Sequence, residues 1–241
     1  MVRVTFVHGF TQTGDSWARV IKLLPSDHHY LTIDAPGHGV APTVVVDFDQ
    51  VADQITEIGG QGVYCGYSMG ARMCLYAALK HPTVVKGLIL ISGTAGINDS
   101  NERIARRESD RKLAARVLEI GVDQFIDEWM SQPMFNSLPI DEVDCALRRT
   151  NTAQGLANNL TAVGTGSQPP LWDRLGELTI PVLIIAGTND LKFSALGERL
   201  HRLIGTSQLA LVDNANHATH YEQPATVAGL IETWLNLHFT N

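Results

Sequence analysis

The chain has little cysteine, no long apolar run and no excess of positive charge, and each shortage narrows what it can be. Its three cysteines, Cys65, Cys74 and Cys145, are odd in number and lie in apolar or helical surroundings, with no CxxC pair and no His/Cys spacing suited to zinc. They read as buried thiols of a reducing cytoplasm, so neither a disulfide framework nor a bound metal is expected. No stretch approaches the roughly 18 to 20 uninterrupted apolar residues of a membrane span. The opening MVRVTFVHGF runs from Met1 straight into a strand-like segment, without the apolar region and small-residue cleavage site of a signal peptide. Lys and Arg number 18 against 25 Asp and Glu, a net charge of −7, which argues against nucleic acid or an anionic membrane as partner. Any anionic ligand must then be held by a local cluster of cations. Gly59-Gly60-Gln61-Gly62 lacks a following Lys-Ser/Thr and reads as a turn, not a phosphate loop.

What is present is an ordinary globular composition, 44% hydrophobic and 18% charged over 241 residues, enough for one large domain spanning residues 1–241. Runs at Val2–Val7, Tyr30–Asp34, Val63–Tyr67, Gly87–Ser92, Val182–Gly187 and Gln208–Val212 read as strands. VTFV, LILI and VLII carry apolar residues without alternation, the mark of strands covered on both faces. Helical stretches at Met69–Lys80, Ala195–Leu203 and Ala225–Leu237 lie between them, which predicts an α/β fold with a mostly parallel, doubly wound sheet. The alternation stops after Ser92. Residues 97–166 read as consecutive helices, Glu102–Ile120, Val122–Ser131, Ile140–Thr150 and Gln154–Val163, and strand grammar resumes only at Ile180. A helical insertion between two core strands is expected to form a cap over the carboxyl ends of the sheet.

The strongest chemical signal is Gly66-Tyr67-Ser68-Met69-Gly70, set between the apolar run VYC and the helical run ARMCLYAALK. A serine on a strained strand-to-helix turn needs neighbours without side chains so that its hydroxyl can protrude, and this context is that of a nucleophile elbow. Such an elbow requires an acid and a histidine later in the chain. Asp190 follows the strand VLIIAG, at a carboxyl end where ligands bind in such sheets, and His217 follows QLALVD. Asp213 is a competing acid, but it shares the loop of the histidine and reads as a loop cap. In this arrangement His217 takes a proton while Asp190 fixes its tautomer and stabilises the imidazolium. The backbone N–H groups of Met69 and Phe10 are the expected oxyanion-hole donors, with Gly9 allowing close approach and His8 read as structural. The fold class that follows is the α/β-hydrolase fold.

Further pieces differ in weight: His8-Gly9-Phe10 with Trp17 downstream and Pro36-Gly37-His38-Gly39 are widespread in this fold, GYSMGAR with its Arg is far more selective, and Glu102-Arg103-x-x-Arg106 and Trp129 with Gln132-Pro133-x-Phe135 accompany them. To these are added Gly164-Thr165-Gly166-x-Gln168-Pro169, Leu171-Trp172 and Asp190-Leu191-Lys192-Phe193. Over most of its length the chain resembles the MenH family, the synthases of 2-succinyl-6-hydroxy-2,4-cyclohexadiene-1-carboxylate (SHCHC) in menaquinone biosynthesis. The resemblance implies a cofactor-free elimination of pyruvate from a cyclohexene tricarboxylate, a small anionic metabolite. It also implies substrate contacts from Tyr67, Arg72, Arg106, Trp129, Arg148 and Lys192. A departure is Asn216 before the histidine, where related enzymes carry Gly. It bears on the backbone angles of that loop, since Asn tolerates left-handed conformations better than most residues.

Physical chemistry supports a ligand role for some of these cations. Arg72 sits in the first turn of the elbow helix, where a positive charge opposes the helix dipole unless an anion lies nearby. Lys192 stands two residues beyond the triad acid, within reach of the same pocket. By composition the run ERIARRESDRK is a solvated face laced with i,i+4 pairs, and only the resemblance lifts Arg106 out of it. A hydrolase of esters or carbon–carbon bonds would use the same triad without needing so many cations. A non-catalytic binding member of the fold could dispense with part of the triad, yet all three members are present.

Overall fold

The computed structural model of the chain describes residues 1–41, 47–135 and 141–239. Among the described residues six strands alternate with helices: β1 (Arg3–Val7), α1 (Ala18–Ile21), β2 (His29–Ile33), α2 (Phe48–Gly59), β3 (Gly62–Tyr67), α3 (Met69–Lys80) and β4 (Val85–Ile91). Then come α4 (Ser100–Met130), α5 (Glu142–Arg149), α6 (Ala153–Val163), β5 (Val182–Gly187), α7 (Leu191–Leu203), β6 (Ser207–Val212), α8 (Thr219–Glu222) and α9 (Pro224–Phe239). The strands form one sheet in the order β2-β1-β3-β4-β5-β6, and every pairing is parallel. The doubly wound parallel sheet expected from the apolar runs is present. Helix α2 is an element that the sequence reading passes over. Ile140, where the third cap helix was expected to start, lies outside the described residues.

Side chains of successive strand residues point to opposite faces, and each face is sealed by its own helices. Leu88, Leu90, Val182 and Ile184 pack with α2, α3 and α7, around Val51, Ile55, Met73 and Leu200. Ile89, Ile91, Leu183 and Ile185 pack on the other side against Trp17 and the α9 residues Val227, Ile231 and Trp234. Burial on both faces is what removes polar residues from β3, whose six positions are all buried.

The sheet order also places the site. From β1 the chain steps outward to β2, then returns across β1 to β3 and proceeds the other way. The loops after β1 and β3 therefore diverge at neighbouring carboxyl ends, the position where open α/β sheets bind ligands. Between β4 and β5 come α4, α5 and α6, of which α4 and α6 form a separate apolar cluster built on Val117, Phe125, Ile126 and Leu156. Gly121 divides α4. Its φ of 78° and ψ of 171° lie in a region essentially reserved for glycine, and the halves on either side match the two helices read from the sequence.

The bend at Gly121 aims Phe125 and Trp129 toward the sheet, where Trp129 meets Phe10 at 5.1 Å. Gly121→Ala has open space for its new methyl but must hold a disfavoured backbone. It is expected to cost about 1–3 kcal/mol of stability, read as a lower urea midpoint. An unchanged midpoint would show that α4 can run straight without loss.

Candidate active site

Ser68 stands between β3 and α3 with φ at 49° and ψ at −103°, a strained conformation for a residue with a side chain. The strain is held by packing. A Cβ on Gly66 would lie 2.4 Å from the carbonyl carbon of Gly70, and one on Gly70 would lie 2.0 Å from the carbonyl oxygen of Val7. Only glycine fits either place, and the resulting tight turn presents the Ser68 hydroxyl above the sheet.

His217 Nε2 lies 3.1 Å from Ser68 Oγ, and its Nδ1 lies 2.7 Å from Asp190 Oδ2. The other Asp190 oxygen accepts the N–H of Phe193 at 3.1 Å, so the acid also caps α7. Burial raises the affinity of Asp190 for a proton, but the hydrogen bond and charge of His217, the Phe193 N–H and nearby Lys192 outweigh it. The carboxyl is thus held below its usual range. A second support comes from Ser92, at the end of β4, whose hydroxyl donates to the His217 carbonyl at 2.8 Å. Asn216 does not take a left-handed conformation. Asn214 does, with φ at 57°. Asn216 instead donates its backbone and side-chain N–H groups to Glu222 Oε2 at 3.0 and 3.2 Å, which anchors the histidine loop to α8.

The loop after β1 is fixed by two neutral histidines. His8 accepts the Ala35 N–H at Nε2 (2.9 Å) and donates from Nδ1 to the Gly9 carbonyl (2.7 Å), while His38 Nε2 accepts the Thr11 N–H (3.2 Å). Burial pulls His8 down to about 4 and His38 well below its ordinary value, so both serve as uncharged struts. They brace a loop in which Thr11 itself has φ at 69°. Phe10 and Met69 border the same cavity as Ser68, the arrangement in which their N–H groups can face one oxyanion.

That cavity has a volume of about 720 Å³ and lies between the sheet ends and the cap. Arg72, Arg106, Trp129 and Lys192 all line it. Arg72 is buried, with Nη1 donating to the Val163 carbonyl (3.0 Å) and Gln168 Oε1 (3.4 Å). Burial and the charge of Arg106 pull it down to about 9, partly offset by Asp110. The Arg72 side chain therefore stays in the site and does not escape to solvent. Arg106 Nε donates to buried Asp110 at 2.8 Å. Asp99 and Glu102 line the cavity as well, so it is not uniformly positive. Among the described residues, no cluster of three or more His, Cys, Asp or Glu side chains is arranged to hold a metal ion.

Two residues expected to touch substrate do not line the cavity. Tyr67 is buried beneath the triad, against His220 at 4.2 Å and below Gly9, whose added Cβ would meet its ring at 2.6 Å. Residue alternation explains this: Ser68 points up from the turn, so Tyr67 points down into the face packed against α9. Arg148 is 2% exposed and spent on structure. It donates from Nε to Asp144 (2.7 Å) and from Nη1 to Thr11 Oγ1 (2.5 Å), while Tyr221 donates to the other Asp144 oxygen (2.7 Å). It ties α5 to the loop that follows Phe10. Residues that the sequence reading missed are Ser92, which only a strand-end hydroxyl in LILIS hints at, and Arg199. The latter lines the cavity seven residues beyond Lys192, a spacing that returns to the same helix face.

Removing Arg148 alone would leave Asp144 buried and unpaired. Arg148→Met is expected to lose about 3–5 kcal/mol of stability, and Asp144→Asn in the same chain to restore part of it, measured by urea unfolding. For Asp190 the lowered carboxyl contributes stability above its unfolded range and loses it as pH falls through the folded value. Asp190→Asn should therefore be less stable than the parent near neutrality, with the gap closing in acid. A gap that persists down to about pH 3 would show that the charge is not what stabilises the pair.

The profile of the alpha/beta hydrolase family matches residues 6–230. A 2-succinyl-6-hydroxy-2,4-cyclohexadiene-1-carboxylate synthase of Enterobacter sp. (strain 638) is 34% identical, covering 97% of this chain and 92% of its own. Its counterpart from Citrobacter koseri is 32% identical over 97% of this chain and 94% of its own. Among solved structures, MenH from S. aureus superposes with a TM-score of 0.90 at 31% identity, over 97% of this chain and 93% of that one. A thermophilic esterase from Thermogutta terrifontis superposes at 0.83 with 24% identity, over 98% and 90% of the two chains, which speaks to the fold alone. With Ser68, His217 and Asp190 in hydrogen-bonded sequence beneath a capped cavity, this chain belongs to the alpha/beta hydrolase family and, within it, to the family of the SHCHC synthases.

Proposed function

We propose that the protein is an SHCHC synthase, a lyase that eliminates pyruvate from a cyclohexene tricarboxylate without a cofactor. The observation that carries this reading is a ready Ser68–His217–Asp190 relay opening into a cavity lined by Arg72, Arg106, Lys192 and Arg199. The chain is acidic overall, so four cations around one cavity are a local investment that suits a substrate with several carboxylates. Free thiols at Cys65 and Cys74, both buried, fit a cytoplasmic enzyme.

Chemically, Asp190 holds the Nδ1–H of His217, leaving Nε2 as the acceptor that faces Ser68. His217 takes the hydroxyl proton, and the Ser68 oxygen removes the ring proton next to the substrate's ketone. The electron pair of that C–H bond becomes an enolate, whose oxygen the N–H groups of Phe10 and Met69 would hold. Collapse of the enolate shifts the ring double bonds and breaks the C–O bond to the enolpyruvyl group. The His217 imidazolium gives its proton to the departing enolate, which becomes pyruvate, and the relay returns to its starting state. No acyl-enzyme is required, and water would gain nothing by entering. Phe10 and Trp129 line the cavity edge to face, with Phe125 stacked behind Trp129, which favours its exclusion.

The same relay would also serve an ester hydrolase, so substrate decides. Offered the cyclohexene tricarboxylate, the purified protein is expected to release pyruvate as diene absorbance appears. Ser68→Ala should slow this by roughly a hundred- to ten-thousandfold. Arg72→Met should lower kcat/KM by roughly ten- to a hundredfold, with thermal unfolding as the control for folding. Fast cleavage of a p-nitrophenyl ester with no pyruvate from the tricarboxylate would replace the synthase by a hydrolase.

A further inference from the structure

Arg199 lies on α7 and borders the cavity at a distance from the triad. Its guanidinium carbon sits 3.7 Å from the centroid of the Trp172 ring, close enough for flat stacking. Trp172 is buried and fixed, since its indole N–H donates to the Gly96 carbonyl at 2.8 Å. Stacking uses the face of the guanidinium and leaves its five N–H donors at the edge. Among the described residues, those donors have no hydrogen-bond or ion-pair partner. The other cavity arginines are already engaged, Arg72 by the Val163 carbonyl and Gln168, Arg106 by Asp110. Arg199 is thus a planar donor fork held in place by an aromatic platform and unoccupied by protein.

Its spacing says what would fill it. Lys192, Phe193, Leu196 and Arg199 all line the cavity from α7, at offsets that share one helix face. Phe193 packs on His217 at 4.3 Å, so the Lys192 end is the reactive end. Arg199 lies seven residues on, about 10 Å along the axis. Between the two cations the surface is apolar, formed by Phe193 and Leu196. A ligand matching this strip has one acidic end by the triad, a short carbon chain, and a second carboxylate reaching away from it.

We propose that Arg199, stacked on Trp172, binds the carboxylate at the far end of the substrate's side chain and sets specificity for a side chain that ends in an acid. This rests on the synthase reading, in which the ring reacts at Ser68 and carries a succinyl chain. The bidentate fork fits a carboxylate, and its fixed plane lowers the entropy lost on binding.

Two stable aromatic probes separate this from mere packing on Trp172: 2-succinylbenzoate, which carries both acid groups, and 2-butanoylbenzoate, whose side chain ends in methyl. Calorimetry on the parent chain is expected to show roughly ten- to a hundredfold tighter binding of the succinyl compound. Arg199→Met keeps a stem that covers Trp172 and should bind both probes alike, and Arg199→Lys should keep part of the preference. With the tricarboxylate, Arg199→Met should raise KM while kcat changes little. A parent chain indifferent to the two probes, or an Arg199→Met that keeps the preference, overturns the proposal. Preference without pyruvate release would instead sink the synthase reading and leave Arg199 as a dicarboxylate-binding residue.

Discussion

A methyl group at Gly70 would collide with the Val7 carbonyl, and that close approach of α3 to the end of β1 is the constraint on which the rest of the structure depends. It lets the turn at Ser68 tighten until the hydroxyl stands clear of the sheet. It also brings the start of α3 beside the loop after β1, so that Met69 and Phe10 border one cavity. Because β1 and β3 are neighbours at the point where the sheet reverses its winding, this juncture is where a ligand can enter. The strained backbone angles at Ser68 and Ser92, at strand ends, and at Thr11, in the loop after β1, lie around this point, each held by surrounding hydrogen bonds or packing. Strain of this kind persists only where the fold over-determines it.

Around that rigid floor the charges divide by task. Arg148 with Asp144, and the neutral His8 and His38, brace the Phe10 loop from behind and do not line the cavity. His220, pressed between Tyr67 and Trp17, is pulled down to about 3 by burial and by the charges of Arg148 and His217. An uncharged ring there leaves Asp190 as the partner that defines the proton position on His217. On the open side Arg72, Arg106, Lys192 and Arg199 face the cavity. This division suits the proposed synthase, in which one set of groups would move a proton and another would hold acids in place.

Much of the architecture is legible in the sequence because parallel strands buried on both faces leave unbroken apolar runs, as in LILI and VLII. The triad is legible because a strained serine forces glycine on either side, and chemistry forces an acid and a histidine at later strand ends. Helix α2 escapes notice since its start is marked by a polar capping box, Asp47 with Gln50, ahead of a mixed amphipathic run. Arg148 looks like any other cap arginine, because a buried i,i+4 pair with Asp144 is spelled the same way as an exposed one. What decides its role is a contact with Thr11 across 137 positions, which no local pattern encodes. Arg199 is hidden for the converse reason: its meaning comes from Trp172, brought beside it only by folding.

The central claim is that Ser68, activated by His217, acts as a base on carbon and not as a nucleophile on a carbonyl. The most direct measurement is single-turnover pyruvate release from a substrate carrying deuterium in place of the ring proton next to the ketone. If Ser68 removes that proton, release slows on deuteration while the enzyme's intact mass stays unchanged throughout. Equal rates for the two substrates, with a transient mass increase on Ser68, would contradict it and place an acyl-enzyme on the path.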